Sequence, residues 1–328
     1  MNLLLIGVGL FVVVGLVLSI LVAIVIRWRT GKRVRVTRLL ALQLILLPLH
    51  CFVSFPLGLA IFGRSIVGTR LDERAYQGPV IAADGTWQFQ SRTTLRAGPV
   101  PPPSGCRVLA LTAADGTPIR AFHVPAAAPT RPGVAVMVHG LFRGALELEP
   151  PASMLRDLGI DVVIVEMRNH GGSGRATPTF GRDESTDVTA AIEFTRTDPS
   201  LRDKRLILFG VSLGTVAAAN AAARAERVDG IVLDAPVVDS LATAHRMLAS
   251  RPEGQPRRIG LPQPFRTLTL LAVEWVCGIS FHEIGAGDAL ASLPPRTAAL
   301  VIGGVLDDRV STADAQRAFD LLRAAPAG

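Results

Sequence analysis

Apolar residues fill the start of this chain in long unbroken runs and later return in short bursts. Leu3 to Ile26 carries no charge and is long enough to cross a hydrocarbon core of roughly 30 Å. Met1 and Asn2 offer no basic region and Arg27 follows the run, which favours an uncleaved membrane helix over a signal peptide. A second run, Leu39 to Phe62, contains Pro48, His50 and Pro56. It predicts a second crossing, kinked at its prolines, with a re-entrant segment as the alternative. Residues 65–104 lose the pattern and end in the Pro-rich PVPPPSG, so they read as a linker and lead-in.

From residue 105 strands and helices alternate. Arg107–Thr112 and Pro118–Val124 flank Asp115-Gly116, a hairpin signal. Val134–Val138 is an apolar strand, Leu146 to Leu158 reads as a helix, and Asp161–Glu166 holds the strand VVIV. Glu184 to Arg196 predicts a helix, Leu206–Gly210 a strand and Leu213–Glu226 an Ala-rich helix. Gly230–Leu233 and Ala298–Ile302 read as strands, and Thr312–Arg323 as a last helix. The alternation predicts an α/β fold, a mostly parallel sheet with helices on both faces and an antiparallel hairpin at its start. The domains expected are therefore 1–64, two transmembrane helices; 65–104, the linker; and 105–328, the α/β domain with an insertion, or lid, at about 235–296.

Composition and charge refine this picture. Hydrophobic residues make up 49% of the 328 and the mean hydropathy is +0.40, which fits membrane content. Residues 1–74 hold nine Lys/Arg and two acids, leaving 25 of each for the rest of the chain. The large domain is thus formally neutral, and its net charge supports no nucleic-acid footprint. The excess is concentrated at Arg27, Arg29, Lys32, Arg33, Arg35 and Arg38, between the two apolar runs. Short Lys/Arg-rich loops stay in the cytoplasm, so a multi-pass hairpin is expected, with the domain on the extracytoplasmic side and the lipid bilayer as a partner. Cys51, Cys106 and Cys277 form no framework and are expected as separate thiols, with a Cys106–Cys277 pair in an oxidising compartment as the alternative. No spacing resembles a zinc site, and no cofactor is implied.

The chemistry is concentrated at Gly210-Val211-Ser212-Leu213-Gly214, between the strand LILF and the helix LGTVAAANAAARA. That context is what a nucleophile elbow requires. Gly210 and Gly214 relieve a tight turn that lifts the Ser212 hydroxyl above the sheet. The helix start offers the Leu213 N–H to a developing oxyanion.

Three further motifs follow the same order as in a known group. Val138-His139-Gly140-Leu141 resembles the oxyanion loop after the third strand of α/β hydrolases. Arg168-Asn169-His170-Gly171-Gly172-Ser173-Gly174 resembles their R-G-H-G-x-S loop, with Asn169 in place of Gly. Gly304-Val305-Leu306-Asp307-Asp308-Arg309-Val310 resembles their G-x-x-D-D-x-V segment. Residues 107–323 thus resemble the α/β-hydrolase superfamily, and most nearly the membrane-anchored prolyl-oligopeptidase-like and BEM46-like groups. The resemblance implies a serine hydrolase acting on a small-molecule or acyl substrate. Ser212 would be the nucleophile and Asp307 the acid, with Leu141 and Leu213 as oxyanion donors. His139 and Gly140 would support the loop, and Gly210 and Gly214 the elbow.

One departure concerns the base. The family's histidine follows its acid, yet His50, His123, His139, His170, His245 and His282 all precede Asp307. A truncated product is expected, weakly active as it stands, in which the last strand and histidine loop are missing. A non-catalytic binding protein of the same fold is the alternative. Asp234 offers a second acid position, and His245 or His282 a substitute base. His139 and His170 are expected to shape their loops, Asp308 to be a solvated neighbour, and Cys277 to pack in the apolar run TLLAVEWVCGI. Substrate choice is expected in the insertion, where RPEGQPRRIGLP precedes the apolar segment Leu268–Phe281.

Overall fold

The computed structural model describes residues 13, 17, 20, 21, 23–31, 36–67, 71–81, 87–97, 105–128, 133–249, 260–294, 296–307 and 309–324. Most of the first apolar run lies outside the described residues. So do Lys32, Arg33, Arg35, the segment 98–104, residues 250–259 and Asp308. The chain divides into two compact units. One comprises Ser65–Thr243 with Ile279–Gly328, and the other Met1–Arg64 with Ala244–Gly278.

The first of these units is built on a seven-stranded sheet. Its strands are β3 (Arg107–Thr112), β4 (Pro118–Val124), β5 (Gly133–Val138), β6 (Asp161–Val165), β7 (Arg205–Val211), β8 (Gly230–Asp234) and β9 (Ala298–Ile302). Their order is β3-β4-β6-β5-β7-β8-β9. β3, β4 and β6 pair antiparallel, and the neighbours from β6 to β9 pair parallel. β5 is buried along its whole length, so it carries apolar residues on both faces rather than alternating with polar ones. Val134, Val136 and Val138 enter one apolar cluster, and Ala135 and Met137 enter another, as the two-residue period of a strand demands. The first cluster is closed by α5 (Glu184–Thr197), α6 (Leu213–Arg224), the short α9 (Gly287–Ala291) and α10 (Thr312–Ala324). The second is closed by a 3₁₀ turn at Ala145–Leu148 and α4 (Glu149–Asp157). The helix expected at Leu146 to Leu158 is this turn plus α4, because Pro150 and Pro151 fit the first helical turn, where no amide donor is needed.

Residues 65–104 require a correction. They are not an irregular lead-in but hold an antiparallel pair, β1 (Leu71–Ile81) and β2 (Trp87–Ala97). The pairing slips between Arg74 and Tyr76 and again between Tyr76 and Pro79. These slips break the simple alternation that marks a strand in sequence. The pair Asp84-Gly85 between the strands is nonetheless the same hairpin signal as Asp115-Gly116.

In the other unit, residues 23–30 are helical (α1). α2 (Val36–Leu49) passes through a π-helical turn at His50–Ser54 into α3 (Phe55–Val67). The Phe55 N–H donates to His50 O, one residue beyond the α-helical register. Pro48 and Pro56 both lack an amide donor, and the turn between them absorbs the mismatch without ending the helix. Leu44–Ser65, 22 residues of mean hydropathy 2.1, is long and apolar enough to cross a membrane, the one such helix among the described residues. The same unit contains most of α7 (Ser240–Leu248) and all of α8 (Phe265–Cys277). Residues 244–278, expected within the α/β domain's insertion, therefore cluster with the N-terminal helices. Phe265 of α8 stacks on Phe52, ring centroids 5.4 Å apart. Arg64 Nη1 donates to Val276 O at 2.9 Å. None of the three cysteines is in a disulfide.

Candidate active site

β7 ends at Val211 and α6 begins at Leu213, which leaves Ser212 alone at the turn. Its backbone has φ 50° and ψ −117°, a conformation that costs an L-residue roughly 1–3 kcal/mol. The surroundings enforce it. The Ser212 N–H donates to Asp234 O at 2.8 Å, and Ser212 O accepts from Thr215 N at 2.9 Å and Thr215 Oγ1 at 2.6 Å. Both flanking glycines are required by space. A Cβ on Gly210 would lie 2.5 Å from Gly214 O, and one on Gly214 would lie 2.4 Å from Val138 O. These obstacles are backbone atoms, so neither can swing aside.

The loop after β5 meets this turn. A Cβ on Gly140 would lie 3.5 Å from Ser212 Cβ. The loop is fixed from two sides. His139 Nε2 accepts from Met167 N–H at 3.2 Å, so its proton is on Nδ1, which donates to Gly140 O at 2.8 Å. The Gly140 N–H donates to Glu147 Oε2 at 2.7 Å. Among the described residues, the N–H groups of Leu141 and Leu213 have no acceptor. His139 is fully buried, and burial, with the nearby His170 charge second, holds its pKa down to about 3. The His170 ring meets it edge-on, centroids 4.6 Å apart, and burial lowers the His170 pKa too. Both His139 ring nitrogens are thus engaged within the fold.

The loop after β6 is anchored by Arg168, which is only 1% exposed. Arg168 Nη2 donates to Asp187 Oδ1 at 2.7 Å and Nη1 to Asp115 Oδ2 at 2.7 Å. Asn169 has φ 69°, which explains the glycine that the resembling motif has there, since Asn tolerates the left-handed region better than other side-chain-bearing residues.

Asp307 follows β9. Its Oδ1 accepts from Arg309 N at 2.8 Å and Val310 N at 3.1 Å. Val211, Asp234 and Ile302 are in register across β7, β8 and β9, so Ser212, Asp234 and the Asp307 loop share the C-terminal edge of the sheet. Burial first, and the Asp307 charge second, raises the Asp234 pKa. The Asp307 loop therefore comes close to Asp234, a proximity that sequence left open. Other histidines have other places. His123 Nε2 lies 3.3 Å from Asp161 Oδ1, where β6 begins. His282 is exposed in the turn before α9. His50 and His245 belong to the other unit. Among the described residues no group of three His, Cys, Asp or Glu could hold a metal ion.

Glu147 and Thr215 were not singled out from sequence. Glu147 reaches back seven residues across a turn to Gly140, a spacing no motif marks. Thr215 Oγ1 also accepts from Val237 N at 3.0 Å, and nothing in the helix sequence signals that second role.

A family model described as serine aminopeptidase, S33, matches residues 130–252. No curated protein matches the chain. Among solved structures, the Pyrococcus furiosus esterase Pf2001 is similar in two crystal forms. One is 18% identical with TM-score 0.52, covering 67% of this chain and 79% of that one. The other is 17% identical with TM-score 0.53, covering 70% and 85%. With its strand order, its strand–Ser212–helix turn and these likenesses, the larger unit of this chain has the α/β-hydrolase fold.

Proposed function

We propose that this chain is a membrane-anchored serine hydrolase of esters, thioesters or amides, related to the prolyl-oligopeptidase-like and BEM46-like groups. The observation that carries the reading is the strained Ser212, φ 50°, wedged between two glycines that backbone atoms forbid to change. A structure retains such strain where it serves a task. In the proposed reaction Ser212 Oγ attacks an acyl carbonyl carbon, and its proton passes to a base. The carbonyl oxygen becomes an oxyanion and takes hydrogen bonds from the Leu141 and Leu213 N–H groups. Collapse expels the protonated alcohol, thiol or amine, and water then releases the acyl group from Ser212. Asp307 would orient the base, with its Oδ1 already fixed by Arg309 and Val310.

The anchoring part rests on the apolar helix Leu44–Ser65 and the Arg27–Arg38 cluster. In this reading the cluster stays in the cytoplasm and the hydrolase unit lies on the other side. A second reading, a non-catalytic binding protein, is favoured by the histidines of the larger unit: both ring nitrogens of His139 are engaged and His123 lies beside Asp161. Hydrolysis of short acyl esters by residues 1–328, each assay paired with Ser212→Ala, separates the two. The hydrolase reading expects slow but Ser212-dependent turnover, because losing one triad member leaves roughly 10³–10⁴-fold catalysis over water. Appending a strand and a histidine loop should raise it by orders of magnitude. Equal rates with and without Ser212 in both forms would leave only the binding protein.

A further inference from the structure

α8 carries no charge on its exposed face. Its exposed residues are Thr267, Leu271 and Trp275, while its two charged residues, Arg266 and Glu274, are only half-buried flankers. Leu271 is 55% exposed and Trp275 is 77% exposed. The other side buries Thr269, Leu270 and Cys277. A helix on the surface of a water-soluble unit carries charge outward, and none of the three exposed residues of α8 is charged.

The position of α8 within its unit indicates what covers it. Phe265 stacks on Phe52 and Val276 O accepts from Arg64. From Phe52 to Arg64 is about 18 Å of helix, and from Phe265 to Val276 about 17 Å. α8 therefore runs parallel to the second half of Leu44–Ser65, with its C-terminal end level with the end of that helix. The neighbouring helix also shows apolar residues outward, Ile61 at 51% and Phe62 at 61% exposed. Both helices of this pair thus carry exposed apolar side chains, Ile61 and Phe62 on one and Leu271 and Trp275 on the other. Thirteen residues make about 20 Å, too short to cross roughly 30 Å of hydrocarbon.

We propose that α8 is a second membrane-contacting element: its Leu271–Trp275 face lies against lipid, alongside Leu44–Ser65, without crossing the bilayer. Trp275, one residue from the carbonyl held by Arg64, is then at headgroup level, where tryptophan is enriched. Leu271 is about 6 Å deeper, among acyl chains. The insertion between β8 and β9 would thus be tethered to the bilayer. This inference rests on reading Leu44–Ser65 as a membrane helix.

The test places nitroxide labels in the full chain, its native cysteines replaced, in phosphatidylcholine vesicles. Sites are Leu271→Cys and Trp275→Cys, with Ile45→Cys on the apolar helix and Glu226→Cys as the water reference. Ile45 is 74% exposed and the Glu226 side chain 92%. Labels at 271, 275 and 45 should collide with oxygen and be shielded severalfold, relative to 226, from a water-soluble nickel complex. If 271 and 275 behave like 226 while 45 is in lipid, the membrane helix stands and the α8 proposal falls. If 45 also behaves like 226, the membrane reading fails and takes the proposal with it. Shielding of 271 and 275 from both reagents would mean a protein cover, which overturns the lipid assignment.

Discussion

Lowering the pH should weaken the sheet through His139, and the size of the effect follows from its burial. An ordinary histidine titrates near 6.5, whereas His139 in the folded unit is held down to about 3. Below pH 6.5 the unfolded chain takes up a proton that the folded chain refuses. The folded pKa is depressed, so stability falls as pH drops through 6.5 and stops falling near 3. Each pH unit costs about 1.36 kcal/mol. Between pH 7 and 4.5 the loss is about 2.5 kcal/mol, a large part of a typical stability of roughly 5–15 kcal/mol. Other groups titrate in the same range. Burial pushes Asp187 up to about 6 against its Arg168 donors, a contribution of opposite sign. The useful quantity is therefore the difference between the native chain and His139→Gln, whose amide can donate to Gly140 O and accept from Met167 N–H without titrating. Urea unfolding of the full chain in detergent, read by pulse proteolysis of the larger unit, gives both stabilities at each pH. The native chain should lose about 2.5 kcal/mol relative to His139→Gln between pH 7 and 4.5. Parallel pH profiles would refute the argument, since His139 would then titrate as it does in water.

Gly214→Ala puts a Cβ 2.4 Å from Val138 O and should cost about 1–3 kcal/mol or more, measured as a lower urea midpoint. Arg168→Met leaves Asp187 buried without its cation and should cost about 3–5 kcal/mol by the same assay, with partial recovery in Arg168→Met, Asp187→Asn. Glu147→Ala removes the acceptor of the Gly140 N–H and should lower any Ser212-dependent rate more than it raises KM, whereas Glu147→Gln retains most of it. An enzyme reporter joined after residue 70 should be active only outside the cytoplasm. A cytoplasm-only reporter that works there would overturn the proposed topology.

Much of the sheet was legible because its strands are extreme. β5 and β6 are apolar on both faces, and β7 is nearly so, with Gly or Asp at their ends, a pattern few other structures produce. The Ser212 turn was legible for a related reason: glycine, serine and glycine between a strand and a helix leave little else for the chain to do. β1 and β2 were missed because two slips in register, near Tyr76 and Pro79, disrupt the alternation that marks a strand. The place of α8 was missed because helical periodicity reads the same whether the neighbour is a sheet or another apolar helix. The closeness of the Asp307 loop to Asp234 depends on β8 and β9 being adjacent, which no local signal reveals. Glu147 is a side-chain contact closing a turn, and sequence patterns describe backbones better than such contacts.

The most direct test of the central claim is where a fluorophosphonate forms its adduct. The full chain is treated to exhaustion, digested, and every modified peptide is quantified by mass spectrometry beside Ser212→Ala. The account predicts a slow reaction concentrated on Ser212, because its hydroxyl is presented by the turn beside the Leu141 and Leu213 N–H groups, and loss of that adduct in Ser212→Ala. An adduct that persists in Ser212→Ala, or one found on another residue with Ser212 unmodified, would contradict it.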